Sequence, residues 1–112
     1  MKSFRILITP GAENDLLELR NYIAEELLSP QVAREYLGFL RAEIGKLSYL
    51  ANIFEPIPDE PWHSRGIRRI AVKNFLIYYR IDTDSNCVYV LNAIYGKRDQ
   101  LAALRDADKT GQ

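Results

Sequence analysis

Apolar and polar positions alternate at the start of the chain, then repeat every three or four residues, then alternate again. Phe4, Ile6 and Ile8 are interleaved with Arg5 and Leu7, a period of two that predicts a strand buried on one side. Thr9 followed by Pro10 marks a helix start: the threonine oxygen can accept from a free backbone N–H, and proline loses nothing at the first helical position. Ala12, Leu16, Leu19, Ile23 and Leu27 then line one face of a helix of about 17 residues. Ser29 and Pro30 repeat the start signal. A second stripe follows through Ala33, Leu37, Leu40, Ile44 and Leu47, with Tyr36 beside it. The break at Leu28 and Ser29 is short, so the two helices form an antiparallel hairpin whose apolar faces need a core to cover.

Pro56, Pro58 and Pro61 make residues 52–64 a loop, since proline cannot donate to a ladder and breaks helices. Three strands follow, at Arg68 to Val72, Phe75 to Ile81 and Cys87 to Tyr95, the last two separated by the turn sequence DTDSN. On the middle strand Phe75, Ile77, Tyr79 and Ile81 share the face expected to cover the hairpin. Leu76, Tyr78 and Arg80 share the other, expected to be more open, where Tyr78 and Arg80 could reach a ligand. Leu101, Leu104 and Ala107 predict a short C-terminal helix, with 105–112 a frayed tail. The predicted fold is α+β: an N-terminal strand, an antiparallel helical hairpin, and a three-stranded antiparallel meander completing a twisted sheet. At 112 residues, 47% of them hydrophobic, this is read as one domain over 1–112, with its core at about 4–104.

Charge changes the picture, because a net charge of zero conceals a division. Between Arg65 and Arg98 lie Arg65, Arg68, Arg69, Lys73, Arg80, Lys97 and Arg98 against Asp82 and Asp84, a local charge of about +5. Residues 10–60 carry about −6. A positive sheet opposite acidic helices would steer toward a phosphate backbone or an acidic protein partner. No apolar run reaches the length of a membrane span and the N-terminus lacks a signal-peptide pattern, so a cytoplasmic protein with no membrane partner is expected. With a single cysteine, Cys87, and a single histidine, His63, neither an internal disulfide nor a four-ligand zinc site of those residues is expected. No metal or cofactor is assigned.

The candidate chemistry is therefore basic side chains interleaved with tyrosines. Gly66 and Gly96 are isolated, and read as turn or bulge positions rather than a phosphate-cradling loop. Nothing fixes a carboxylate or nucleophile beside His63 except its neighbour Ser64, and its role stays open. Arginine and tyrosine together suit RNA, where one clamps phosphate and the other stacks on a base, and equally suit protein interfaces. The candidate target-binding residues are Arg68, Arg69, Tyr78, Arg80, Tyr95, Lys97 and Arg98. Because neighbours on a strand point to opposite faces, one of Arg68 and Arg69 is expected to be structural or at the rim.

The helical hairpin followed by RGIRRI, NFLIYYRI and VLNAIYGKR resembles the RelE/ParE superfamily of bacterial type II toxin–antitoxin toxins over roughly residues 4–104. That resemblance implies a growth-inhibiting toxin neutralised by a cognate antitoxin. The antitoxin is expected in an apolar groove, between the hairpin and the sheet edge or along the helices, by helix insertion or strand addition. In mRNA-cleaving members an arginine on the middle strand contacts the scissile phosphate. Here that place is Leu76, which cannot donate to phosphate. The resemblance is thus closer to the ParE-like branch, implying inhibition of DNA gyrase by binding rather than enzymatic turnover. The alternatives are a metal-independent, ribosome-dependent mRNA endonuclease using Arg68, Lys97 and Arg98, with the ribosome and mRNA as partners, or a non-toxic interaction module.

Overall fold

The computed structural model describes residues 3–26 and 28–109. Strand β1 (Arg5–Ile8) leads into α1 (Pro10–Glu26) and α2 (Pro30–Gly45), followed by a short α3 (Leu47–Leu50) and a 3-10 turn (Ala51–Ile53). After the proline-rich loop come β2 (Arg68–Val72), β3 (Phe75–Asp82), β4 (Cys87–Tyr95) and α4 (Gln100–Lys109). Both predicted helix starts are built as expected: Ala12 N–H donates to Thr9 Oγ1 over 3.3 Å, and Val32 N–H to Ser29 Oγ over 3.2 Å. Leu28 turns the chain between the helices with φ of 52°. Leu27 lies outside the described residues, as do Thr110, Gly111 and Gln112 of the expected tail.

The sheet runs β1-β4-β3-β2, and it is mixed. β2, β3 and β4 form the antiparallel meander, whereas β1 joins β4 in parallel, with Ile6 opposite Val88 and Ile8 opposite Val90. A slip in the β3–β4 register between Tyr78 and Tyr79 leaves Leu91 as an extra residue on β4. Without that bulge, Val88 and Val90 could not share a face with Ala93. With it, all three join Ile77, Tyr79, Leu16, Leu40 and Ile44 in one core beneath the hairpin. Phe75 and Ile81 pack against the same cluster, as their alternation with Ile77 and Tyr79 predicts.

The opposite face departs from expectation. It is covered, because Ile57, Trp62 and Ile67 fold onto it from the loop and Ala103 and Leu104 from α4. Tyr78 is 0% exposed in this second core. Sequence periodicity placed Tyr78 on the correct face but could not reveal what would cover it. Two smaller differences concern element ends. Leu47 belongs to α3 rather than to α2, and α4 continues to Lys109 where fraying from residue 105 was expected. Asp99 supports that helix, accepting from Ala102 N–H through Oδ1 at 3.1 Å. No helix among the described residues is long and apolar enough to cross a membrane.

Candidate functional site

An apolar groove of about 590 Å³ opens where the hairpin diverges from one end of the sheet. α1 contributes Asp15, Glu18, Leu19, Tyr22 and Ile23, and α2 contributes Val32 and Tyr36; the sheet side is Asn74, Phe75, Ala93, Tyr95 and Arg98. Tyr22 is 63% exposed, and Val32 and Tyr95 are also exposed. Aromatic area left open in this way, with charges at its margin, is the composition of a protein interface.

Short-range chemistry fixes each wall. β1 stops at Ile8, so beyond Val90 the outer side of β4 lacks a strand partner. Helix α1 takes over: Thr9 Oγ1 donates to the Leu91 carbonyl over 3.3 Å, and Asp15 Oδ2 accepts from Ala93 N–H over 2.9 Å. Burial pushes the Asp15 carboxyl above its ordinary value of 3.8, opposed by that N–H, by Asn92 and, at longer range, by Arg98. On the sheet side, Phe75 contacts both Tyr36, edge-on at 6.4 Å, and Tyr95 at 5.7 Å. Lys73, at the β2–β3 turn, holds its ammonium 4.4 Å from the centre of the Phe39 ring and 5.7 Å from that of Tyr36. At Gly96, where β4 ends, the backbone makes a close approach to the β2–β3 turn. The Gly96 N–H donates to the Asn74 carbonyl over 2.7 Å, and a side chain there would sit 3.2 Å from the same oxygen.

The sequence-derived candidates fall into separate groups rather than one site. Tyr95 and Arg98 line the groove, and Lys97 is exposed in the turn between them. Arg68 lies on the hairpin side at the far end of β2, about 13 Å along the strand from the turn. It donates to two backbone carbonyls, Phe54 at 2.6 Å and Ala51 at 3.4 Å. Arg69 points to the other face, where its Nη1 donates to the Tyr78 hydroxyl over 3.4 Å. The separation of Arg68 and Arg69 onto opposite faces is as predicted: Arg68 is tied to backbone carbonyls, and the exposed Arg69 to the Tyr78 hydroxyl.

Arg80 stacks its guanidinium 4.5 Å over the Tyr89 ring, beside a second hollow that also contains Trp62, Arg65 and Asp108. His63 bonds through Nδ1 to the Ile57 carbonyl over 2.8 Å, a tie within its own loop. Among the described residues no group of three or more histidine, cysteine, aspartate or glutamate side chains is placed to hold a metal. Sequence reasoning missed Asp15, Tyr22 and Phe75 as groove residues. Phe75 reads as core from its alternation along the strand, and nothing in the helical pattern singles out Asp15 or Tyr22.

The profile described as "ParE toxin of type II toxin-antitoxin system, parDE" matches residues 6–100. The chain belongs to the ParE toxin family of type II toxin–antitoxin systems. Among solved structures, this ParE-family toxin is similar to a chain from the chromosomal ParDE toxin–antitoxin system of P. aeruginosa, with a TM-score of 0.69 and 19% identity over 83% of this chain and 96% of that one. It is also similar to a chain of the RelBE2 toxin–antitoxin complex of Mycobacterium tuberculosis, with a TM-score of 0.57 and 20% identity over 83% and 98%. At these identities the two likenesses establish the shared fold. Among curated protein sequences, none matches.

Proposed function

We propose that this ParE-family toxin acts by binding, with DNA gyrase as its target, and is held inactive by a cognate antitoxin seated in the groove between the hairpin and the end of the sheet. The observation that carries this reading is the scattering of the basic groups. Phosphoryl transfer needs donors converging on one phosphate. Here Arg68 donates to the chain's own carbonyls, Lys97 and Arg98 lie at the other end of β2 and β3, and Leu76 packs against the second core. The exposed Tyr22, Val32 and Tyr95 instead offer apolar area and a rim of charge suited to a protein partner.

The reading is tested with purified toxin in two assays. Incubation with gyrase and supercoiled plasmid is expected to accumulate cleaved DNA, and addition to a translating extract is expected to leave mRNA intact. Defined mRNA cuts during translation, with gyrase unaffected, would overturn it in favour of the endonuclease. Inactivity in both, with no growth inhibition on expression, would leave an interaction module.

A further inference from the structure

The turn that carries Tyr95, Lys97 and Arg98 is held from beneath by Gln100. Its Nε2 lies 2.7 Å from the Tyr95 carbonyl and 3.2 Å from the Arg98 carbonyl. Both of those groups can only accept, so the amide nitrogen must face them and Oε1 must face away. Oε1 then lies 2.8 Å from the Tyr78 hydroxyl, which therefore donates to it. The Tyr78 oxygen in turn accepts from Arg69 Nη1 at 3.4 Å. The result is a one-way chain of donors from Arg69 through Tyr78 and Gln100 to the backbone of the turn. It passes through a tyrosine that is 0% exposed and so cannot exchange partners with water.

We infer that Gln100 is a positioning residue for the groove, and that Tyr78 and Arg69 act through it rather than by touching a target. The turn has other supports, namely the Arg98 N–H to Tyr95 carbonyl bond at 3.0 Å and the Gly96 to Asn74 bond. Those fix its closure. Gln100 grips carbonyls on both sides of Lys97, setting how Tyr95 and Arg98 face Asp15 and Tyr36 across the opening. This rests on the proposal that the groove receives the antitoxin, and it assigns the specificity of that contact to a hydrogen-bond chain on the opposite side of the sheet.

The test compares Gln100→Ala, Gln100→Glu and Tyr78→Phe with the parent toxin. Gln100→Glu can still accept from Tyr78 but sets a carboxylate against two carbonyls. Tyr78→Phe keeps the ring in its core and removes only the hydroxyl. The first readout is amide hydrogen exchange at Gly96 and Arg98, whose N–H groups bond to the Asn74 and Tyr95 carbonyls, in the isolated toxin, which needs no partner. Exchange is expected to rise about tenfold in Gln100→Ala and Gln100→Glu, and less in Tyr78→Phe, with protection in β3 and β4 retained. The second readout is affinity for the cognate antitoxin, expected to fall by about tenfold in the same order. Unchanged exchange at the turn would overturn the positioning role whatever the antitoxin does. Raised exchange with unchanged antitoxin affinity would uphold the positioning role and overturn the groove as the antitoxin site.

Discussion

The Tyr79 hydroxyl donates to the Ala51 carbonyl over 2.8 Å, fastening the middle of β3 to the 3-10 turn that follows the hairpin. Arg68 reaches the same carbonyl at 3.4 Å. Tyr79→Phe would therefore leave that oxygen with one donor, and the expected cost is about 1 kcal/mol in urea denaturation rather than the larger penalty of an orphaned carbonyl. The phenol also carries a pH signature. Burial pushes it from 10.0 up to about 12, so above about pH 10 the unfolded chain sheds this proton first. Stability should fall from there toward pH 12, with a shallower decline in Tyr79→Phe.

Arg68→Ala removes the donors to Phe54 and Ala51 and is expected to cost about 1–2 kcal/mol of stability. Arg69→Ala removes one long bond from an exposed side chain and should cost less than about 1 kcal/mol. Thermal and urea unfolding of the two single variants checks the order. An equal loss in both would contradict the division of this pair between the two faces.

Asp15 predicts a stability that declines as pH rises. Its carboxyl is held above 3.8 by burial, so the folded state keeps a proton that the unfolded state releases. The contribution is most favourable below that value and is lost as the pH climbs through the raised folded-state value. Asp15→Asn can still accept from Ala93 N–H and carries no charge to bury. The variant should match or exceed the parent in stability at pH 7, and its advantage should vanish below about pH 4. Urea midpoints at the two pH values decide it.

Arg98→Glu reverses a charge at the groove margin, near Asp15 and Glu18. Tyr95→Ala removes an exposed ring that touches Phe75. Each is expected to weaken antitoxin binding by at least about tenfold with a small change in melting temperature, measured by titration and thermal unfolding of the isolated toxin.

Much of this architecture is written in the chain's periodicities. Steps of three and four from Ala12 to Ile23 place one helix face correctly, and Thr9 and Ser29 mark helix starts that the hydrogen bonds bear out. The alternation along β3 separates Ile77 and Tyr79 from Tyr78, as found. What covers each face depends on contacts remote in sequence, and there the pattern is silent. Tyr78 reads as an exposed reader of ligands because nothing in its own strand reveals that Trp62 and Leu104 will close over it. Arg68 reads as a phosphate donor for the same reason, since its carbonyl partners lie on another element. The bulge at Leu91 has no local signal either. It reconciles an alternation that would otherwise turn Val90 and Ala93 to opposite faces.

The parallel seam between β1 and β4 also orders events in time. Thr9 and Leu91 meet across 82 positions of sequence, and every partner of β1 within the sheet belongs to β4. The hairpin and the β2–β3 pair are closed by short connections and can form soon after they are made, whereas β1 must wait for Cys87 to Val90. A growing chain therefore carries its first strand without a sheet partner until residues 87–90 have been synthesised. Slowed synthesis of β4 would prolong the interval in which the edge of β1 stands without its sheet partner.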